Sequence, residues 1–228
     1  MSVKENIINF KDQLPESVKL IAVSKTKPNS LIMEAYDAGQ RIFGENKVQD
    51  LAAKQPELPT DIRWHFIGHL QRNKVKFIAS FVDTIHAVDS LKLLKEINKQ
   101  AVNNNRTINC LLQFHIAEEE SKFGLNMPEA EAILNNDDFK NLQNIKICGV
   151  MGMATYTNNL DQVRKEFNNL KTYFNKIKST YYREQTDFVD ISMGMSGDYK
   201  IAIDEGSTMI RIGSSIFGSR GELVNEKY

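Results

Sequence analysis

The sequence predicts an α/β protein, a single-domain (β/α)8 TIM barrel with an extra N-terminal helix. Three observations lead there. Eight short runs rich in β-branched residues alternate with longer amphipathic stretches, which favours a parallel sheet with right-handed crossovers. Polar and glycine-rich motifs follow nearly every run. A closed barrel gathers all such strand ends at one face, whereas an open doubly wound sheet concentrates them at one switch point. The 228 residues suit one barrel and contain no linker, so the domain is taken as residues 1–228.

The opening helix is expected over Ser2–Gln13. Strands are expected at Val18–Val23, Arg41–Phe43, Arg63–Ile67, Thr84–Ala87, Thr107–Phe114, Ile145–Met151, Phe188–Ser192 and Met209–Ile212. Helices between them are expected at Asn29–Gly39, Lys47–Lys54, Asn73–Ala79, Ser90–Asn103, Pro128–Asn136, Leu160–Thr180 and Asp198–Glu205, with a short last one from Ser214. The clearest helix starts at Leu160, where Val163, Phe167, Leu170, Phe174 and Ile177 form one apolar stripe at three- and four-residue spacing. Ser90 and Asn29 are read as N-caps, Pro128 as a first-turn proline and Gly39 as a helix stop. Gln100–Arg106 reads as a surface connection.

Composition bounds the function. Hydrophobic residues make up 41% of the chain and charged residues 25%, an ordinary globular profile. The 29 basic and 29 acidic residues cancel, so no whole-molecule field points to nucleic acid or an anionic membrane. No signal peptide is readable at the N-terminus, and no run approaches the roughly 18 apolar residues of a membrane span. The expected location is the cytoplasm. Cys110 and Cys148 lie in apolar strand-like runs and read as buried thiols, too few for a disulfide framework or a zinc site.

Two sets of residues point to chemistry. Lys25 follows the first strand directly, where a partly desolvated amine near other cations becomes a usable nucleophile. Taken alone, it reads more readily as a solvated lysine beside a strand. The last two βα units end in Ser192-Met193-Gly194-Met195-Ser196-Gly197-Asp198 and Arg211-Ile212-Gly213-Ser214-Ser215. Backbone N–H groups in such unobstructed turns make an anion pocket, and the loops after strands seven and eight are the usual phosphate position in barrels. A phosphate grip and a lysine together suit a phosphorylated carbonyl ligand; sugar phosphates and pyridoxal phosphate both qualify.

At this point the chain resembles a known family. The segments are Ala22-Val23-Ser24-Lys25-Thr26-Lys27-Pro28, Phe43-Gly44-Glu45-Asn46, Trp64-His65-Phe66-Ile67-Gly68-His69-Leu70-Gln71 with Asn73-Lys74, Ser121-Lys122-Phe123-Gly124, Gly149-Val150-Met151-Gly152-Met153-Ala154, Ser192 to Asp198, and Gly206-Ser207-Thr208-Met209-Ile210-Arg211-Ile212-Gly213. Together they resemble the YggS/PROSC family of pyridoxal phosphate homeostasis proteins, related in fold to the N-terminal barrel of bacterial alanine racemase. The resemblance implies pyridoxal 5'-phosphate (PLP) held as a Schiff base on Lys25. It implies that Ser196, Gly197, Gly213 and Ser214 hold the phosphate, that Asn46 and Met151 line the ring pocket, and that Arg211 lies beside the pyridine nitrogen. Ser214 stands where threonine is usual, and Lys47 where an aromatic is usual.

An arginine can only donate to the ring nitrogen, which leaves it unprotonated and weakens the electron sink that an aspartate would enforce. Holding the cofactor fits such a site better than transamination. The first reading is therefore a non-enzymatic PLP carrier, a monomer whose partners would be apo-enzymes that receive the cofactor. The second is a PLP-dependent racemase of low activity, disfavoured because the eight βα units leave no second domain to supply a second base. A Schiff-base aldolase, with its lysine expected on a late strand, ranks third. His69, His86 and His115 fall near strand ends, but their spacing makes no metal motif, and packed or rim histidines are expected. Glu118-Glu119-Glu120 reads as a solvated run, Trp64 as core, and Met151, Met153, Met193 and Met195 as packing around the cofactor.

Overall fold

The computed structural model describes residues 2–119 and 123–218. The strands are β1 Lys19–Val23, β2 Ile42–Glu45, β3 Arg63–Phe66, β4 Thr84–Val88, β5 Ile108–Phe114, β6 Ile145–Gly152, β7 Asp190–Ser192 and β8 Met209–Ile212. They pair in chain order, all parallel, and β8 returns to β1 to close the barrel. The eight expected strands are all present, as is the barrel.

The helices are α1 Val3–Gln13, α2 Asn29–Asp37, α3 Val48–Lys54, α4 Leu91–Asn103, α5 Met127–Leu134, α6 Asp137–Lys140, α7 Leu160–Tyr181, α8 Tyr199–Asp204 and α9 Ser214–Phe217. Ser90 caps α4, Pro128 sits in the first turn of α5, and Gly39 follows α2 with φ +85°. Three expectations are corrected. Pro28 is the N-cap of α2; Asn29 lies inside the helix, its amide donating to Glu57 instead. The third βα crossover holds a 3₁₀ turn, Arg72–Phe77, in which only Val75 is buried, too little apolar face to anchor a longer helix. The short α6 was not foreseen; Asn136 caps it by accepting from the Asp138 N–H.

Strand alternation separates two cores. Leu20, Ala22, Phe43, Trp64, Phe66, Ile85, Cys110, Leu112 and Val150 face the helices. Ile21, Ala87, Leu111, Cys148, Met151 and Met209 pack together inside the barrel. Both thiols are buried and free, as expected. Register places further residues inside: Arg211 beside Ile21, Ser192 beside Met151 and Met209, and His65 beside Gly44 and Thr84. Met193 therefore points outward into the helix-facing core, which corrects its expected place around the ligand.

Two irregularities shape the interior. In β4 the register shifts between Ile85 and Val88, so that both His86 and Ala87 turn inward. In β6 it shifts opposite Cys110 and Leu111, where Gly149 carries φ +159°. A Cβ on Gly149 would lie 1.8 Å from the Asp190 carbonyl oxygen, so β6 and β7 can approach only because this residue is glycine. Gly149→Ala is expected to destabilise the barrel by about 3 kcal/mol or more, because the obstacle is backbone and cannot rotate away. Urea unfolding checks this, and an unchanged midpoint would contradict the close approach.

Candidate functional site

The strand ends of β1, β2, β6, β7 and β8 build one mouth. After Val23 the chain leaves β1 in a turn closed by the Lys27 N–H donating to the Ser24 carbonyl at 3.0 Å. Lys25 and Thr26 are its central residues. Thr26 has φ +64°, a left-handed conformation that a β-branched residue adopts at a cost of about 1–2 kcal/mol. Its hydroxyl donates to the Lys25 carbonyl at 2.6 Å. A strained turn thus holds Lys25, half-buried, at the end of the strand.

The turn is braced from behind. Glu45 is fully buried and accepts from the Ser24 hydroxyl and the Lys54 ammonium, each at 2.7 Å, while Lys54 also donates to the Ser24 carbonyl at 2.9 Å. The second carboxylate oxygen of Glu45 has no hydrogen-bond partner among the described residues. Lys27, also buried, reaches across to donate to the carbonyls of Phe217 and Gly218 at 2.9 and 3.0 Å, which ties the β1 turn to the end of α9.

The two glycine-rich loops meet this turn because β8 pairs with β1. A Cβ on Gly213 would lie 3.4 Å from the Val23 carbonyl oxygen, whereas one on Gly197 would project into open space. Gly194 (φ +96°) turns the β7 loop, and its carbonyl accepts from the Arg211 N–H at 2.9 Å. The Met195 N–H donates to Asp198 at 2.6 Å, closing the loop that carries Ser196 and Gly197. Ser196 and Gly213 are half-buried; Gly197 and Ser214 are exposed. Asn46 is half-buried after β2, where a Cβ on Gly68 would lie 2.2 Å from its carbonyl oxygen. Met151 lies in the interior cluster with Ile21 and Met209.

Arg211 is the unusual member. It is only 4% exposed, and among the described residues no carboxylate forms an ion pair with it. It donates to the Ser192 hydroxyl at 2.6 Å and to the Gly152 carbonyl at 3.1 Å, leaving three of the five guanidinium N–H donors. Burial lowers its pKa to about 10, opposed by the charge of Asp198, so it stays cationic at neutral pH. A buried cation with spare donors and no anion beside it suits a neutral acceptor from a ligand. An unprotonated pyridine nitrogen is such an acceptor.

The sequence reading missed what lies behind Arg211. His65 and His86 are both fully buried inside the barrel, His86 as one of the packed histidines expected. Their rings contact at 2.8 Å, and His86 contacts the Ser192 hydroxyl at 3.0 Å. The other two histidines are rim residues, as expected. His69 stacks on Phe123, and His115 contacts the Glu119 carbonyl. Glu118 is exposed and Glu119 half-buried, while Glu120, Ser121 and Lys122 lie outside the described residues. Glu166 on α7 was also missed. Its buried carboxylate accepts from the Thr155 N–H and hydroxyl and from the Glu118 N–H, joining the loops after β5 and β6.

Comparisons with known proteins show the family and the fold. Residues 1–221 match the family described as alanine racemase, N-terminal domain. A Vibrio alginolyticus protein named pyridoxal phosphate homeostasis protein is 37% identical, covering 96% of this chain and 98% of that protein. The structure of PipY from Synechococcus elongatus with PLP bound superimposes with a TM-score of 0.86 at 36% identity, over 95% of this chain and all of that one. An alanine racemase of Clostridium difficile 630 shares the fold, with a TM-score of 0.77 at 16% identity, over 96% of this chain and 56% of that one.

The buried imidazoles predict how stability depends on pH. Burial pulls the pKa of His65 down, and pulls that of His86 well down with help from the charges of His65 and Arg211. Below about pH 6.5 the unfolded chain therefore binds protons that the folded barrel refuses. Asp83 acts in the same direction at lower pH. Burial would raise its pKa, but hydrogen bonds from Arg63 and Thr84 and the close approach of His65 hold it far below the ordinary carboxylate range. Stability is thus complete above about pH 6.5 and falls as pH drops through the histidine and then the carboxylate range. Urea unfolding across that interval should show the fall, and His86→Phe should remove about one proton from its slope near pH 6. A flat profile would mean that the imidazoles charge within the folded barrel.

Proposed function

The chain belongs to the pyridoxal phosphate homeostasis proteins built on the alanine racemase N-terminal domain, and from that premise we propose that it binds PLP covalently through Lys25 and holds the cofactor rather than turning over amino acids. The observation that carries the reading is the pairing of β1 with β8. It sets Ile21 beside Arg211 and brings Gly213 against Val23, two residues before Lys25. When bound, the cofactor supplies an aldehyde carbon for an amine and an electron-accepting ring.

Each residue then has one task. Lys25 provides the amine, held at the mouth by the strained Ser24–Lys27 turn and its Glu45–Lys54 brace. Ser196 and Ser214 donate hydroxyls to the phosphate, and Gly197 and Gly213 offer backbone N–H groups without a side chain in the way. Asn46 and Met151 line the ring. Arg211 donates to the ring nitrogen and, being a permanent cation, cannot pass it a proton under neutral conditions. That choice weakens the electron sink and favours storage over chemistry. A relative covering nearly the same length is named for homeostasis, which supports the same division between holding and turnover. Delivery to apo-enzymes, action as a monomer and a cytoplasmic location complete the proposal. No described helix is long and apolar enough to cross a membrane.

Protein loaded with PLP should be yellow, and borohydride should fix the cofactor to a peptide containing Lys25. Lys25→Ala should remain folded by circular dichroism and lose that attachment; fixation to another lysine would relocate the site. Ser196→Ala and Ser214→Ala should each weaken retention about five- to tenfold in equilibrium dialysis, the effect of one hydrogen bond to a charged group. Wild-type affinity in the double variant would remove the phosphate assignment. Absence of amino-acid racemisation by chiral chromatography is the expected companion result, and sustained turnover would favour the racemase reading.

A further inference from the structure

Among the described residues the barrel interior holds the Lys19–Asp190 ion pair, Gln113 and one continuous polar lane that crosses it. Asp83, on the loop just before β4, lies at the floor. It accepts from the Arg63 guanidinium at 3.1 and 3.2 Å and from the Thr84 hydroxyl at 2.7 Å. His65 Nε2 faces Asp83 Oδ1 at 3.4 Å, too poorly aligned for a full hydrogen bond but close enough for a charge–dipole contact. The lane continues from His65 Nδ1 to His86 Nε2 at 2.8 Å, from His86 Nδ1 to Ser192 Oγ at 3.0 Å, and ends where Arg211 donates to Ser192 Oγ at 2.6 Å. Four strands, β3, β4, β7 and β8, contribute to it.

Donor and acceptor rules give the lane one direction. Arg211 has only donors, so Ser192 Oγ accepts from it. The Ser192 hydroxyl proton is then available to His86 Nδ1. With that nitrogen accepting, neutral His86 carries its proton on Nε2 and donates it to His65 Nδ1. Neutral His65 in turn carries its proton on Nε2, facing the Asp83 carboxylate. Reversing the chain would leave the Ser192 proton without this acceptor and would set a lone pair of His65 against a carboxylate. The electrostatics agree: each group turns the negative end of its dipole to the Arg211 cation and the positive end to the Asp83 anion.

We propose that Ser192, His86 and His65 are positioning residues for Arg211, forming a one-way hydrogen-bond relay anchored at Asp83 that fixes both imidazoles as neutral Nε2–H tautomers and aims the guanidinium's remaining donors at the cofactor ring. The last part rests on the reading that Arg211 meets the ring nitrogen. Neutrality matters because a charged His86 could not accept from Ser192 and would add a second cation behind Arg211. The charged groups around the imidazoles are Asp83, Arg63, Asp190, Lys19 and Arg211. Burial outweighs the anions among them and keeps the neutral forms.

Nitrogen-15 NMR of the imidazoles in cofactor-free protein tests the relay without any ligand. Both buried histidines should show the neutral Nε2–H tautomer from about pH 5 to 8. A charged imidazole, or an Nδ1–H tautomer at either site, would overturn the proposal. In PLP-loaded protein, Ser192→Ala should shift the visible absorption band and its pH profile and weaken retention about tenfold, while Ser192→Thr restores both. If Ser192→Ala leaves spectrum, pH profile and retention as in the wild type, the positioning role is refuted. Arg211→Met separates the two claims: an unchanged spectrum there means that the ring-nitrogen reading has failed, and the tautomers in the cofactor-free protein still decide the relay.

Discussion

The pairing of β8 with β1 is the constraint on which the rest depends. Four consecutive positions, Lys19 to Ala22 against Met209 to Ile212, close the sheet and bring β1 and β8 side by side. Several side-chain bonds reinforce the closure. Lys27 donates to Phe217 and Gly218, and Asn6 on α1 donates to the Ile216 carbonyl at 2.9 Å. The helix before the first strand and the turn after it are therefore both fastened to the last helix. In an open sheet Val23 and Gly213 would have no reason to meet. A barrel makes their meeting a matter of backbone pairing, so side-chain packing needs only to refine it.

A second constraint follows from what fills the barrel. Small barrels are packed by apolar side chains, and this one follows the rule through Ile21, Ala87, Leu111, Met151 and Met209. The lane from Asp83 to Arg211 departs from it. Buried polar groups cost stability unless every member is partnered, and this network is partnered except at its outer link. Interiors that break the apolar rule do so where function asks for it. The same holds for the left-handed Thr26 beside Lys25, where strain sits next to the amine it positions.

The sequence made the architecture legible because strand and helix periods are local. Ile108–Phe114 and the α7 stripe could be read without knowing their neighbours, and the ends of β5 and α7 fall within one residue of expectation. β7 begins two residues later than expected, at Asp190, because Phe188 spends its apolar surface stacking on Tyr182 and Phe174. The site was legible where it forms continuous motifs: Lys25, the Ser196–Gly197 loop and the Gly213–Ser214 loop all sit at strand ends facing one mouth. The relay was not. His65 and Ser192 point inward by simple alternation, but His86 joins them only through the register shift in β4, and nothing local in Thr84–Val88 announces that shift. The Glu45–Lys54 brace was hidden for a similar reason, since it joins a strand to the helix behind it.

The relay also explains how a guanidinium can be buried without a carboxylate at its side. A carboxylate beside Arg211 would compensate its charge, but it would also compete for its donors. Here a carboxylate, Asp83, stands only at the far end of the proposed relay of Ser192, His86 and His65, and Arg63 is its direct partner. Ser192 and the Gly152 carbonyl take two donors, the charge of Asp198 favours the cation without an ion pair, and the proposed relay runs from Ser192 through His86 and His65 toward Asp83, which Arg63 already pairs. The remaining donors stay available to a neutral acceptor. That arrangement suits a ring nitrogen without a proton better than one with a proton, which Arg211 would repel. Under the proposed role of Arg211, the same groups that hold the buried cation bias the bound ring toward its weaker electron-accepting form. On that proposal, solvation of one arginine and restraint of the cofactor's chemistry are two results of a single hydrogen-bond chain.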